Sequence, residues 1–201
     1  MRNRGVFRMV AALALLALPA LAQDPRSEVL RPPKGAKVAL VVFEDLQCPD
    51  CGRAAPLLSQ AARTYKIPQV RYDFPLKMHP WARQAAIFAK YFDTKSKALG
   101  DEFRDYIFAN QPVITPDNLR SYAEKFAGEH KLALPFAVDP MGVLEKKVDQ
   151  DINVGLSVGV QHTPTIYVVS DARAGTPFVE VVDRSQLFQM IDEMKRQAGA
   201  R

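Results

Sequence analysis

The clearest hydrophobic pattern in the chain is a buried strand followed by a helix and a second strand. Residues 37–43 are nearly all apolar and rich in β-branched side chains, which predicts a strand covered on both faces. Apolar residues then recur at helical spacing over 51–65, and we expect Pro56 to kink this helix rather than end it. Alternating polar and apolar residues over 69–74 predict the next strand.

A long helical segment separates this unit from a second group of strands. Residues 80–158 show helical periodicity, and two predicted helix starts share a capping residue followed by proline: Thr115-Pro116 and Asp139-Pro140. Strand-like runs return at 165–169 and 178–182, and an amphipathic helix follows from about residue 187. The pattern predicts an α/β domain, a mixed sheet flanked by helices, with an inserted helical subdomain at about 80–158.

A different pattern precedes the first strand. Three basic residues lie before a short apolar run: Arg2, Arg4 and Arg8. Small residues follow at Ala20 and Ala22, so the sequence predicts a secretory signal peptide over 1–22. The alternative is an uncleaved N-terminal anchor, for which the run is short. The proline-rich residues 23–36 predict an extended linker that leads into a domain over 37–197.

The composition fits one exported globular domain. Hydrophobic residues make up 48% of the 201 residues, which can fill a sizeable core. Three of the 27 basic residues lie in the predicted signal peptide, so the charge falls from +5 to about +2 without it. No basic stripe indicates nucleic-acid binding, and no later segment is apolar enough to cross a membrane. We therefore expect a periplasmic or secreted protein, in a compartment where disulfides persist.

The only two cysteines, Cys48 and Cys51, directly follow the predicted first strand. Pro49 suits the first position of a helix, so both sulfurs lie on its first turn, close enough to bridge. The free N–H groups and the dipole at a helix start stabilise a thiolate on Cys48, while Cys51 lies further in. This asymmetry predicts a reversible redox pair, in which Cys48 meets the substrate and Cys51 resolves the mixed disulfide.

Two other roles for a pair of cysteines at this spacing are a zinc site and a structural disulfide. Zinc needs two more ligands, and the three histidines are scattered along the chain: His79, His130 and His162. A bridge that closes so short a loop adds little stability. We therefore expect neither a metal nor a cofactor.

Several polar residues near the cysteines are candidates for tuning them. Pro49 and Asp50 lie between the two cysteines in the sequence. The negative charge of Asp50 disfavours a second negative charge on Cys48, whereas the helix dipole favours it. Glu44 and Asp45 could help to deprotonate Cys51, but at a strand end we expect both to be solvated. His162 could hydrogen-bond near the sulfurs, and we expect it in a surface loop.

Three motifs together resemble the DsbA-type oxidoreductases of the thioredoxin fold. They are Cys-Pro-x-Cys after a buried strand, Gly-Val-x-x-Thr-Pro-Thr over residues 159–165, and Asp-Phe-Pro-Leu-Lys-Met-His-Pro over 73–80 before an alanine-rich helix. The resemblance spans roughly residues 36–197 and implies the thioredoxin fold. It also implies that Pro164 is cis and faces Cys48, and that the backbone of Thr163 binds a substrate peptide as an added strand.

The sequence therefore favours an exported thiol–disulfide oxidoreductase that acts as a dithiol oxidase. Its expected partners are cysteine-containing exported proteins and a redox protein that recycles the cysteine pair, and we expect the chain to be a monomer. A thioredoxin-like reductase is the alternative within redox chemistry. A non-redox alternative is a peptide-binding chaperone module whose cysteines are incidental.

Overall fold

The computed structural model describes residues 24–172 and 175–200, so the predicted signal peptide at 1–22 lies outside the described residues. The strands are β1 (Val38–Glu44), β2 (Gln69–Asp73), β3 (Thr165–Ser170) and β4 (Phe178–Glu180). The helices are α1 (Pro49–Tyr65), α2 (Ala82–Asp93), α3 (Lys97–Asn110), α4 (Leu119–Glu129), α5 (Val143–Ser157) and α6 (Leu187–Gln197).

The four strands form one mixed sheet in the order β2-β1-β3-β4. Strand β1 pairs in parallel with β2 and antiparallel with β3, and β4 pairs antiparallel with β3. Every residue of β1 is buried, as predicted for a strand covered on both faces. Helices α2 to α5 follow β2 and precede β3, which confirms the mixed sheet with an inserted helical subdomain.

The alternation of side chains along β1 divides the sheet core into two layers. Leu40 and Val42 pack with residues of α1 and α6 on one face. Val41 and Phe43 face the other side, where they pack with β3, the end of α5 and the residues after it. The helical subdomain has a separate core with three tightly packed aromatic rings: Phe92, Phe103 and Phe126. Helix α1 runs unbroken through Pro56, as predicted.

Buried ion pairs attach the helical subdomain to the end of β2. The guanidinium of Arg104 is completely buried and lies 2.6 Å from the carboxylate of Asp73 and 2.9 Å from that of Asp93. Lys90 adds a second cation 2.9 Å from Asp73. These cations hold the pKa of Asp73 far below its ordinary value against the opposing effect of burial.

Both predicted proline-containing helix starts lie upstream of the observed ones. Helix α4 begins at Leu119, after a turn over residues 115–118 in which the N–H of Asn118 donates to the hydroxyl of Thr115 at 3.3 Å. Helix α5 begins at Val143 after a turn, although the Asp139 carboxylate still accepts the N–H of Glu145 at 2.8 Å. A capping side chain followed by proline therefore lies in a turn ahead of each helix, and from that turn Asp139 still accepts an N–H of the first turn of α5.

Two further segments differ from the predicted pattern. The predicted extended linker at 23–36 contains a 3-10 turn at Pro25–Glu28, and Leu30 is completely buried against the sheet. Strand β4 is shorter than the predicted 178–182, and Val182 beyond its end is 87% exposed. Within the described ranges, no helix is long and apolar enough to span a membrane.

Candidate active site

Both cysteines lie at the beginning of α1, where β1 has just ended. Cys48 is the N-cap residue, with extended backbone angles, and Pro49 opens the helix. Cys48 is 7% exposed and Cys51 only 2%, and both are free thiols. The backbone N–H of Asp45 points at the sulfur of Cys51 at 3.4 Å. Both cysteines are therefore buried, and Cys48 at the helix N-cap is the more exposed of the two.

The two sulfurs differ strongly in acidity. The pKa of Cys48 is lowered to about 5, first by a hydrogen bond from the Cys51 thiol and then by the backbone N–H groups of Cys51 and Asp50, against the opposing effect of burial. Burial, reinforced by the hydrogen bond to Cys48, raises the pKa of Cys51 far above its ordinary value. At neutral pH the site therefore holds a Cys48 thiolate beside a Cys51 thiol.

The loop before β3 brings the predicted proline to the cysteines. The Thr163–Pro164 peptide bond is cis, as the resemblance implied. The sulfur of Cys48 lies 3.4 Å from the carbonyl oxygen of Thr163, although 115 positions separate the two residues in the chain. The hydroxyl of Thr163 is buried and has no hydrogen-bond partner among the described residues. The residue that precedes the cis-proline therefore lies against Cys48.

The prediction that Asp45 is solvated was wrong. Its side chain is completely buried, and one carboxylate oxygen accepts the N–H groups of Gln47 at 2.7 Å and Cys48 at 3.1 Å. The other oxygen accepts the N–H of Leu76 at 2.7 Å and contacts Nδ1 of His79 at 2.7 Å. Asp45 thus connects the turn that contains Cys48 with the loop after β2 through hydrogen bonds on both sides.

Glu44 is also buried, contrary to the solvated position expected for it. Its carboxylate lies 2.6 Å from the guanidinium of Arg71 on the neighbouring strand β2, and burial raises its pKa. Arg71 also reaches the half-exposed Asp105 at 2.8 Å. The sequence predicts solvated carboxylates at the end of β1 because it does not indicate which distant groups will face them.

Gln111, just after α3, links the helical subdomain by hydrogen bonds to the cysteine turn, the segment from Leu46 to Cys51. Its side-chain amide donates to the carbonyl of Leu46 at 2.8 Å and to the carbonyl of Cys48 at 3.0 Å. A Cβ atom at Gly52 would lie 3.0 Å from the amide oxygen of Gln111, so the close approach favours glycine there. Nothing in the sequence pattern marks Gln111 as a site residue.

Asp50 is not a free charge beside the sulfurs. Its carboxylate lies 2.8 Å from Arg184 and 3.1 Å from Arg53, and the hydrogen bond from Arg184 is the main cause of its lowered pKa. His162 is exposed, as expected, and its ring contacts the hydroxyl of Thr165 at 3.0 Å. Within the described ranges, no group of three His, Cys, Asp or Glu residues could hold a metal ion.

A cysteine pair at a helix start, opposite a cis-proline on a mixed four-stranded sheet, defines a protein of the thioredoxin fold. The sequence agrees, since the family model described as thioredoxin matches residues 33–192, and the chain belongs to that family. The fold is that of the DsbA-like members. α-DsbA1 of Wolbachia pipientis superposes with a TM-score of 0.69 at 15% identity, covering 86% of this chain and 97% of that one.

Two further comparisons extend this picture. A periplasmic thioredoxin-like protein of Salmonella enterica serovar Typhimurium superposes with a TM-score of 0.63 at 21% identity, over 87% of this chain and 92% of that one. The Na(+)/H(+) antiporter NhaA 3 of Salinispora tropica is 27% identical over 89% of this chain, which covers 27% of the antiporter. The chain thus spans about a quarter of the length of the curated relatives it matches.

Proposed function

We propose that this protein is an exported thiol–disulfide oxidoreductase that works as a dithiol oxidase through a Cys48–Cys51 disulfide. The observation that carries the proposal is the geometry of the pair: Cys48 is the N-cap of α1 and lies 3.4 Å from the Thr163 carbonyl beside the cis-proline, while Cys51 is 2% exposed. This geometry agrees with a lowered pKa of Cys48 and a raised pKa of Cys51. A stabilised Cys48 thiolate favours the reduced form of the pair, and a pair that prefers to be reduced gives its disulfide away readily.

The proposed reaction consists of two exchange steps. A substrate thiolate attacks the sulfur of Cys48, the Cys48–Cys51 bond breaks, and Cys51 leaves as a thiolate that takes up a proton. A second substrate thiolate then attacks the substrate sulfur of the mixed disulfide, and Cys48 leaves as its stable thiolate. Two electrons pass from the substrate to the protein, so a recycling redox partner must remove them.

The surface beside Cys48 supports a peptide as the substrate. Thr163 and Pro164 border a cavity of about 150 Å³ that extends to Asp50, and the exposed His162 and Val182 lie at its rim. An extended segment laid along Thr163 would bring its own cysteine to the sulfur of Cys48. We therefore propose that Thr163 and Pro164 bind substrate, and that Pro49 and Asp50 tune the pair.

The reduction potential separates the oxidase from a reductase. We would equilibrate the pair with mixtures of reduced and oxidised glutathione and quantify both redox forms. A potential near the value of about −120 mV for DsbA supports the oxidase, while one near about −270 mV, the thioredoxin value, makes it a reductase. The Cys48→Ser variant is the control and forms no Cys48–Cys51 disulfide.

Trapping experiments distinguish redox exchange from a chaperone module. The Cys51→Ser variant should accumulate mixed disulfides with cysteine-containing proteins, because the resolving sulfur is absent. Trapping that depends on Cys51 and survives loss of Cys48 would reverse the assigned roles. Peptide binding that is unchanged when both cysteines are serine, with no exchange by the native chain, would establish the chaperone instead.

Export is the remaining part of the proposal. The basic start, short apolar run and small residues before position 23 support a cleaved signal peptide, and the Salmonella structural neighbour is a periplasmic protein. The mass of the mature chain tests this directly. A chain that begins near residue 23 supports cleavage, whereas one that retains residues 1–22 in the membrane fraction is an uncleaved anchor.

A further inference from the structure

An arginine that is remote in sequence forms an ion pair with Asp50, one of the two residues between the cysteines. Arg184 lies in a 3-10 turn, Arg184–Gln186, just before α6, and 134 positions separate it from Asp50. One guanidinium nitrogen lies 2.8 Å from the Asp50 carboxylate and the other 3.3 Å from the Asp50 carbonyl oxygen. The contact therefore joins the cysteine turn to the segment that follows β4.

The turn that carries Arg184 is itself held in place. The carboxylate of Asp183 accepts the N–H and the hydroxyl of Ser185, at 2.9 Å and 2.7 Å. The side chain of Arg184 is 35% exposed and that of its partner Asp50 is 38% exposed, so water screens the pair only in part. Arg184 is thus presented to Asp50 by a pre-formed turn.

The charges around Asp50 make Arg184 its principal counter-ion. Arg53 also reaches the carboxylate, at 3.1 Å, but its side chain is 68% exposed. The other titratable groups that border the adjoining cavity are Glu180 and His162. A carboxylate on the helix turn that carries the two cysteines opposes a thiolate unless a cation balances it. Of the two arginines, Arg184 is the less exposed and has the shorter contact.

We propose that Arg184 is a positioning residue that neutralises Asp50 and so preserves the stability of the Cys48 thiolate. The inference rests on the redox role proposed for the cysteine pair, and it assigns part of the control of that pair to a residue outside the cysteine motif. Through its contact with the Asp50 carbonyl, Arg184 also holds the turn against the wall of the cavity bordered by Thr163 and Pro164.

The test compares two substitutions of Arg184 that differ in charge. Arg184→Gln removes the cation, and we expect a roughly three- to tenfold lower ratio of Cys48 thiolate to thiol at a fixed pH on the acid limb of the titration. The reduction potential should fall by up to about 30 mV, the equivalent of a tenfold change. Arg184→Lys keeps the charge and should leave both quantities close to their native values.

The acidity of Cys48 is measured by the pH dependence of its alkylation in the reduced protein, and the potential by equilibration with glutathione. Arg196→Gln is the matched control, because Arg196 also pairs with a carboxylate, that of Glu193, but lies near the far end of α6. Arg53→Gln should cause a smaller shift than Arg184→Gln. If Arg184→Gln does not fold, Asp50→Asn remains informative, and it should shift both quantities in the opposite direction.

A double substitution tests whether Arg184 acts through Asp50. Asp50→Asn combined with Arg184→Gln removes both charges and should return the acidity of Cys48 close to that of the native protein. A double variant that behaves like Arg184→Gln alone would overturn the proposal, as would an unchanged acidity in Arg184→Gln or an equal shift in Arg184→Lys. Failure of the redox proposal has a different signature, since the native protein would then not exchange disulfides at all.

Discussion

Removing the thiol of Cys51 tests the origin of the acidity of Cys48. The Cys51 thiol donates a hydrogen bond to the Cys48 thiolate, and this contact is the largest single cause of a pKa of about 5. In the Cys51→Ala variant a methyl group replaces the donor, while the backbone N–H groups at the helix start remain. We therefore expect the pKa of Cys48 to rise, though not to its ordinary value of 9.0.

The size of the effect follows from the strength of one hydrogen bond. Hydrogen bonds to charged groups contribute about 1.5–3 kcal/mol, and a thiol is a weak donor, so the lower end applies here. Since about 1.4 kcal/mol corresponds to a tenfold change, the pKa of Cys48 should move from about 5 to about 6. Near pH 5.5, the thiolate fraction would then fall from roughly three quarters to roughly one quarter.

The assay is the rate of alkylation of the reduced protein as a function of pH, with the ultraviolet absorbance of the thiolate as a second readout. Cys51→Ser is the matched control, because its hydroxyl retains a donor in the same position and should keep the midpoint closer to that of the native protein. An identical midpoint in native protein and Cys51→Ala would refute the reasoning, since the helix start alone would then account for the acidity.

Three further changes have defined outcomes. Asp50→His removes the carboxylate but leaves its two arginine partners, so the pKa of Cys48 should fall. The reduction potential measured against glutathione should then rise, and an unchanged or lower potential would contradict this prediction. Asp73→Asn leaves the buried Arg104 with less compensation and should cost about 3–5 kcal/mol in denaturant unfolding. Because folding lowers the pKa of Asp73, that stability should be complete at neutral pH and decline below about pH 4, and a flat pH profile would argue against it. Gln111→Ala removes two hydrogen bonds to the cysteine turn and should cost about 1–3 kcal/mol, readable as a lower melting temperature.

The sequence predicted the elements of the fold better than their boundaries. The buried strand β1, helix α1 through Pro56 and the position of the helical subdomain all follow from periodicity, which a few neighbouring residues encode. The starts of α4 and α5 were misplaced because a capping residue followed by proline favours a turn as well as a helix. The burial of Leu30 in the supposed linker depended on a sheet face that the local composition does not describe.

The placement of the cysteine pair is local, and the sequence by itself determined it. Two cysteines on the first turn of a helix, after a buried strand, place Cys48 at the N-cap and Cys51 further in, where it is the less exposed of the two. Only the tertiary structure decided which distant residues contact Cys48 and the neighbouring Asp50. Thr163 reaches Cys48 across 115 positions, and Arg184 reaches Asp50 across 134.

The same distinction explains the carboxylates at the end of β1. A charged residue at a strand end is equally consistent with water and with a buried counter-ion, and the choice depends on what the rest of the chain places beside it. Here β2 supplies Arg71 to Glu44, and the loop after β2 supplies His79 and a backbone N–H to Asp45. Periodicity and helix-start signals operate over a few residues, whereas ion pairs and hydrogen bonds between distant segments exist only once the sheet has brought those segments together.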